Sequence, residues 1–520
     1  MNLLTAKQMR ELDRTAIEEW GVPGLVLMEN AGKATVDQIV ENFAPFFPGP
    51  VTIFAGKGNN GGDGYVIARH LMNRGWEVAL LVLAEPGQVG GDAWTNLDIL
   101  VKSGADIEYA ADIDAFDEQL DAYLETGLIV DALFGTGLSS EVEGIYAKAV
   151  DWINASSAPV VAVDIPSGID ATTGQVLGCA VLADLTVTFA SAKVGQVVYP
   201  AVEFVGDLIV ADIGIPKQLS DRLNIDHLFI NAEAAQILLP ARPARGHKGT
   251  FGHLLLLAGS TGKSGAAALA AEGGLRAGAG LATLACPEHL NPIFETKLTE
   301  VMTAPLPEVD GMISMQAIPD IEQLCADKST LAIGPGLGTG REISSLVSHL
   351  VRECPLPMVI DADGLTALVD HLDQLKERQA LTILTPHPGE MARMTGLSIA
   401  EVEADRLTVA RDFATRYNVI LVLKGARTVV AEPGGSVFVN GSGNPSLACG
   451  GTGDVLTGVI AGLLGQQISP VAAVLLGVYL HGRAADRLFE TQGRAGILAT
   501  DLLREIPATR RELLLEEEVC

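Results

Sequence analysis

Asn444-Pro445-Ser446-Leu447-Ala448-Cys449-Gly450-Gly451-Thr452-Gly453-Asp454 runs directly into Val455-Leu456 and an apolar stretch. Four small residues, Gly450 to Gly453, ahead of a helix start leave several backbone N–H groups free at the positive end of the helix dipole. That is an anion hole, suited to a nucleotide phosphate. An acid in the first helical turn is ordinary helix-start chemistry, but beside a phosphate Asp454 becomes a candidate general base. Such a loop belongs at the carboxyl edge of a parallel sheet, so strands should precede it.

They do, in two series. The first has candidate strands at Val51–Phe54, Val78–Leu83, Leu128–Asp131, Val160–Asp164 and Leu185–Phe189. The second has Leu254–Ala258, Ala282–Ala285, Leu331–Ile333, Met358–Asp361, Thr382–Leu384 and Ile420–Leu423. Helical stretches lie between, which predicts α/β architecture with parallel sheets covered by helices. The seam between the series, residues 215–248, lacks strong strands and carries Pro216, Pro240, Pro243 and the cluster Arg242, Arg245, His247 and Lys248. This predicts two domains, residues 1–220 and 226–520, with the first helix of the second near Asn231–Leu239. No repeat relates the halves.

A chain of 520 residues exceeds one ordinary core, and 48% apolar with 19% charged residues is a globular composition. The net charge of −29 opposes binding to a polyphosphate backbone, so nucleic acid is not an expected partner and any phosphate site must be local. Cys179, Cys286, Cys325, Cys354, Cys449 and Cys520 stand singly, with no C-x-x-C pair, which fits a reducing cytoplasm. Thr5 to Trp20 reads as a helix with Thr5 and Gln8 in capping-box spacing, not as a signal peptide. Val455 to Leu480 is interrupted by Gln466, Gln467, Ser469 and Pro470 and reads as buried helices, so no membrane is expected.

Two familiar patterns mislead. Gly56-Lys57-Gly58-Asn59-Asn60-Gly61 fits the dinucleotide fingerprint, with Glu85 placed as a ribose-binding acid, but the spacing alone is weak and the loop is more polar than pyrophosphate approach requires. Gly259-Ser260-Thr261-Gly262-Lys263-Ser264 is no P-loop, because the required first glycine is Leu257; the small residues Gly265 to Ala271 read as a helix packed tightly on its sheet.

Other second-domain loops fall at the same sheet edge as Gly450–Asp454. Thr385-Pro386-His387-Pro388-Gly389-Glu390 offers Glu390 to help hold Mg²⁺ against phosphates, while His387 alone is more often structural. Lys424-Gly425-Ala426-Arg427-Thr428 brings two cations and a hydroxyl, and Gly334-Pro335-Gly336-Leu337-Gly338 follows a third strand. Together these resemble the ribokinase-like superfamily, in which a G-x-G-D loop binds phosphate and its Asp activates a hydroxyl. Adding His247-Lys-Gly-x-x-Gly252 and Asp361-Ala-Asp-Gly364, residues 229–505 resemble the nucleotide-dependent NAD(P)H-hydrate dehydratases.

In the first domain, Asn59-Asn60-Gly61-Gly62-Asp63, Asp131 through Gly135-Thr136-Gly137-Leu138-Ser139-Ser140-Glu141, and Asp164-Ile-Pro-Ser167 follow three strands. An amide oxygen, a carboxylate, a hydroxyl and loop carbonyls form an all-oxygen shell for a hard cation, although singly such residues cap helices and shape turns. The set resembles the NAD(P)H-hydrate epimerase domain, a Rossmann-like three-layer sandwich. The resemblance implies K⁺ at Asn60, Asp131 and Ser167, and contacts to the hydrate from Asn59–Asp63, Gly135–Glu141 and Asp164. Asp164 is the preferred acid/base and Asp63 the second choice.

The combined resemblance implies repair of hydrated NADH and NADPH (NADHX and NADPHX). The first domain would interconvert the R and S hydrates. The second would dehydrate the S form with ADP or ATP, ADP being favoured by likeness to the fused bacterial members. Asp454 would be catalytic; Lys424, Gly425, Ala426, Arg427, Thr428 and Gly453 would contact the nucleotide; Ala266, Gly336, Gly338 and His387 would line the hydrate pocket. A homo-oligomer is expected. Two rivals stay open: a small-molecule kinase releasing a phosphorylated product, and a first domain that binds without catalysing.

Overall fold

Five-residue strands with every residue buried, such as Val51–Ala55, Leu128–Ala132 and Leu185–Phe189, are what a parallel sheet covered on both faces requires. The computed structural model describes residues 1–43, 50–120 and 126–515; Cys520 lies outside them. The chain divides into two units, Asn2–His227 and Leu228–Cys520, with Met1 grouped with the second.

The first unit has a seven-stranded parallel sheet ordered Ile107–Tyr109, Val78–Val82, Val51–Ala55, Leu128–Ala132, Val160–Val163, Leu185–Phe189, Asp207–Ala211. One face packs on Leu27, Val36, Leu71 and Leu97, and the other on Phe116, Ala149, Val150 and Ile153, which makes three layers. Strand order reverses between Val51–Ala55 and Leu128–Ala132, and ligands collect beyond the carboxyl ends of strands at such a switch point.

The glycines of the dinucleotide-like pattern serve close packing there. A Cβ on Gly56 would sit 2.2 Å from the Leu133 carbonyl oxygen, and one on Gly61 1.8 Å from that of Gly56. They let the start of helix Asn59–Asn73 lie directly on the strand ends. The capping box at Thr5 and Gln8 is formed, and the helix it starts runs Ala6–Arg14 before widening to a π-turn over Thr15–Glu19.

In the second unit seven strands run parallel in the order Met302–Leu306, Leu281–Pro287, His253–Leu257, Thr330–Ile333, Met358–Ile360, Thr382–Leu384, Ile420–Leu423. Val429–Ala431 and Val437–Asn440 extend the sheet antiparallel, and His227–Ile230 follows. Apolar clusters fill both faces. Two expectations need correction. Residues 215–248 do contain a strand, His227–Ile230, whose two middle residues are only half-buried and which no glycine-rich loop marks. The small residues after Lys263 pack chiefly on another helix: a Cβ on Gly458 of Thr452–Leu464 would lie 2.0 Å from the Ala270 carbonyl oxygen of Ser264–Arg276. No helix among the described residues is long and apolar enough to cross a membrane.

Candidate active sites

At the first unit's switch point lies a cavity of about 590 Å³. Asn59, Asn60, Asp63, Asp164 and the loop Gly135-Thr136-Gly137-Leu138-Ser139-Ser140 line it. Gly61, Gly62 and Glu141 do not: the glycines back onto protein, and Glu141 is exposed.

Beneath the cavity Asp131 is 0% exposed, its carboxylate accepting from the Ser167 hydroxyl at 2.6 Å and backbone N–H at 2.8 Å. Burial pushes Asp131 up to about 6, against those hydrogen bonds. The Ser167 hydroxyl also accepts from the Phe134 N–H at 2.9 Å, next to Gly135, whose Cβ would lie 3.1 Å from Asn60 Oδ1. One end of the Asn60 amide, Nδ2, is buried without a partner. Turning the amide would aim its oxygen there, so a buried carboxylate and an unsatisfied amide fit a monovalent cation.

Asp164 follows strand Val160–Val163 at φ 65°, a left-handed conformation rare for a residue with a side chain. Its carboxylate is ion-paired to Lys193 and accepts from the Thr188 hydroxyl at 3.1 Å. Asp63, also in the cavity wall, is raised well above the usual carboxylate range by burial and by the charges of Asp164 and Asp13. Asp13 and Lys193 were missed by sequence reading. Lys193 carried one signal, a lone lysine in the small apolar run Phe189–Val197.

The second unit's site forms where several strand ends meet helix Thr452–Leu464. Gly451 caps that helix at φ 95° and offers no side chain to its first N–H groups. Lys424, after strand Ile420–Leu423, reaches Asp361 at 2.6 Å and lies 3.9 Å from Glu390; a Cβ on Gly453 would be 3.6 Å from its ammonium. Burial pulls Lys424 down, but Asp361, Glu390 and Asp454 outweigh it and raise the group above its ordinary value. The other Asp361 oxygen accepts from the Thr457 hydroxyl at 2.6 Å. Asp454 is pushed up to about 6 by burial, then by Asp361, with Lys424 opposing.

Asp363 extends the cluster, accepting from Lys263 at 2.8 Å and from the Gly338 N–H at 2.9 Å. Gly336 and Ala266 lie against Lys263, so the expected hydrate-pocket residues Ala266, Gly336 and Gly338 sit together. His387 is the N-cap of Pro388–Thr395 and Glu390 its reciprocal partner, accepting from the His387 N–H at 2.8 Å. Glu390 is only 6% exposed and faces Lys424 as well as the cap. Of the loop Lys424–Thr428, Lys424 alone is seen turned to the acids. Arg427 donates to the Gly441 carbonyl at 2.7 Å, Thr428 to that of Gly425 at 3.0 Å, and the Ala426 carbonyl accepts from Arg406.

Among the described residues no three His, Cys, Asp or Glu side chains are grouped to hold a metal ion by themselves. A divalent ion here would therefore need the oxygens of a bound nucleotide as well.

A family profile described as NAD(P)H-hydrate dehydratase matches residues 254–508, and one described as YjeF-related protein N-terminus matches residues 24–195. A bifunctional NAD(P)H-hydrate repair enzyme of Moorella thermoacetica is 44% identical over 100% of this chain and 98% of its own. The chain belongs to the bifunctional NAD(P)H-hydrate repair enzyme family. Repair enzymes of the same description from Thermofilum pendens and Escherichia coli are 39% and 37% identical over 99% and 96% of the chain and 97% and 92% of their own. An ADP/ATP-dependent NAD(P)H-hydrate dehydratase of Bacillus subtilis, crystallised with ATP and Mg²⁺, is 34% identical, covering 55% of this chain and 98% of its own at a TM-score of 0.48.

Both sites of this repair enzyme hold residues that local motifs did not announce. Lys263 came from the rejected P-loop pattern, while Thr457, one turn beyond Asp454 on the same helix, stands within the Gly450–Gly458 run itself. His481, from helix Pro470–Gln492, bonds the Thr452 carbonyl at 2.9 Å; burial holds it down to about 4, so it is neutral and donates through Nε2.

Proposed function

We propose that the chain repairs hydrated NADH and NADPH in two steps, epimerisation in the first unit and nucleotide-driven dehydration of the S hydrate in the second. The observation that carries the reading is the pairing of Asp454 with the helix start Gly450–Gly453 and the Lys424–Asp361 ion pair. A base near neutrality, free N–H groups and a buried cation are what phosphoryl transfer to a hydroxyl needs.

Asp454 takes the proton of the C6 hydroxyl as its oxygen attacks the terminal phosphorus of ADP or ATP, breaking the bond to the bridging oxygen and releasing AMP or ADP. Backbone N–H groups at Gly450–Gly453 and the Lys424 ammonium stabilise the charge gathering on the phosphoryl oxygens. The hydroxyl, a poor leaving group, is now a phosphate ester. The ring nitrogen's lone pair expels inorganic phosphate, loss of a C5 proton restores the double bond, and NAD(P)H leaves. Ala266, Gly336, Gly338 and His387 border the hydrate; Lys424, Gly425, Ala426, Arg427, Thr428 and Gly453 face the nucleotide, with ADP preferred. Mg²⁺, shared between the phosphates and nearby carboxylates including Glu390, supplies charge neutralisation.

In the first unit Asp164 is the acid/base for exchange at C6, and Asn59, Asn60 and Asp63 with Gly135–Ser140 embrace the hydrate. Asn60, Asp131 and Ser167 would hold K⁺, which supplies a fixed positive charge under the loops. The described cysteines form no disulfide, which suits the cytoplasm, and the active form is a homo-oligomer.

Purified S hydrate with Mg²⁺ and ADP or ATP decides the main point. Return of the near-ultraviolet absorbance of reduced nicotinamide with release of inorganic phosphate is expected. A stable phosphorylated hydrate would mark a kinase instead, and no recovery with either nucleotide would overturn the reading.

A further inference from the structure

Three carboxylates reach the first unit's cavity from three elements: Asp13 from helix Ala6–Arg14, Asp63 from helix Asn59–Asn73 and Asp164 from the end of strand Val160–Val163. The charge of Lys193 bears on all three. Lys193 is 0% exposed and takes no place in the cavity wall. Its three N–H bonds go to the Asp164 carboxylate, the Thr188 hydroxyl at 2.7 Å and the Phe189 carbonyl at 3.2 Å. Its backbone N–H meets Gln196 Oε1 at 2.7 Å, and Gln196 Nε2 returns to the Asp164 carbonyl at 2.7 Å. Asp164 is gripped at both side chain and main chain, in a backbone conformation that needs holding. Burying an ammonium is costly, and hydrophobic side chains fill such space at least as well.

We propose that Lys193 is a positioning residue for epimerisation: its ion pair holds Asp164 aimed into the cavity as the base, with Asp13 and Asp63 in the same wall as the source of the exchangeable proton. The inference rests on Asp164 being the proton-transferring residue. Burial raises Asp13 to about 6, with Lys193 opposing and Asp164 adding to it, and burial with both neighbouring carboxylates raises Asp63 further. A base and an acid then stand together, which exchange at a hemiaminal carbon requires. Asp164 takes the C6 hydroxyl proton as the C6–N1 bond breaks, the bonding pair goes to N1, and Asp13 gives N1 its proton. The resulting aldehyde turns about C5–C6. N1 then attacks its other face, returning one proton to Asp13 while the new hydroxyl takes one from Asp164.

The test follows R-to-S conversion by the full-length enzyme without nucleotide, with spontaneous exchange subtracted and thermal melting as the folding check. Lys193→Met is expected to lower kcat by about 100-fold with KM changed less than about threefold. Lys193→Arg keeps the charge and the donor and should return part of kcat with KM unchanged. Wild-type kcat in folded Lys193→Met, or a loss that Lys193→Arg does not partly restore, overturns the proposal. If that variant does not fold, the double variant Asp164→Asn, Lys193→Met removes the pair together and should match Asp164→Asn within about threefold. A further large loss in the double variant overturns the proposal, since Lys193 would then act without Asp164. Wild-type turnover by Asp164→Asn alone is a different failure, that of the Asp164 reading itself.

Discussion

Asp454 and Asp164 are carboxylates with different neighbours, and the difference sets their behaviour. Asp164 is matched to a buried lysine, whereas Asp454 faces Asp361, Asp363 and Glu390 with Lys424 already committed to Asp361. A group raised to about 6 loses its charge as pH falls through that value, so dehydration should decline on the acid side with a limb near 6. Asp454→Asn should lower dehydration kcat by about 10²–10⁴-fold and abolish that limb while melting stays close to wild type. A variant that keeps both rate and limb would remove Asp454 from the chemistry. Asp454 was legible in the sequence because its chemistry is local: a short glycine loop and an apolar helix stand on either side of it. Lys193 was not, since its meaning depends on a carboxylate 29 residues away and on burial that no spacing encodes.

At the scale of elements, strands of the parallel series were readable even at three residues, as at Thr382–Leu384, because they alternate with helices, whereas the antiparallel additions were not. Val429–Ala431 and Val437–Asn440 are too brief to show a period, yet they widen the second sheet beside the Lys424 loop. The packing of helix Ser264–Arg276 was read only in part, because small residues announce close approach without naming the partner. That partner is the helix bearing Asp454. Gly458→Ala would set a methyl against the Ala270 carbonyl, and overpacking of this kind costs about 1–3 kcal/mol. A lower melting temperature for the second unit is expected, with a dehydration rate reduced because Thr452–Leu464 must move and carry Asp454 with it. Epimerisation should be unchanged. Full dehydratase activity and an unmoved melting transition would mean that the two helices separate at no cost.

Across the whole chain, two units with separate cores carry two sites of different chemistry: a small all-oxygen nest around Asp131 and an acid-rich cleft beside a helix start. Their ion requirements should separate accordingly. On the proposed sharing of a divalent ion between the second site and nucleotide oxygens, a chelator that removes Mg²⁺ should stop dehydration of the S hydrate, while R-to-S exchange in the same sample continues within about twofold. Exchanging K⁺ for Na⁺ at constant ionic strength should do the reverse. If Asn60, Asp131 and Ser167 hold K⁺ as proposed, the smaller ion asks for shorter contacts, so epimerisation should slow by about tenfold or more while dehydration of pure S hydrate holds its rate. Constant ionic strength matters because a chain of net charge −29 repels anionic substrates, and a change in screening alone would shift both rates together. Parallel loss of both activities under either treatment would show that the two sites do not act independently. Indifference of epimerisation to the choice of monovalent ion would leave the Asp131 nest as a hydrogen-bonded strut between loops.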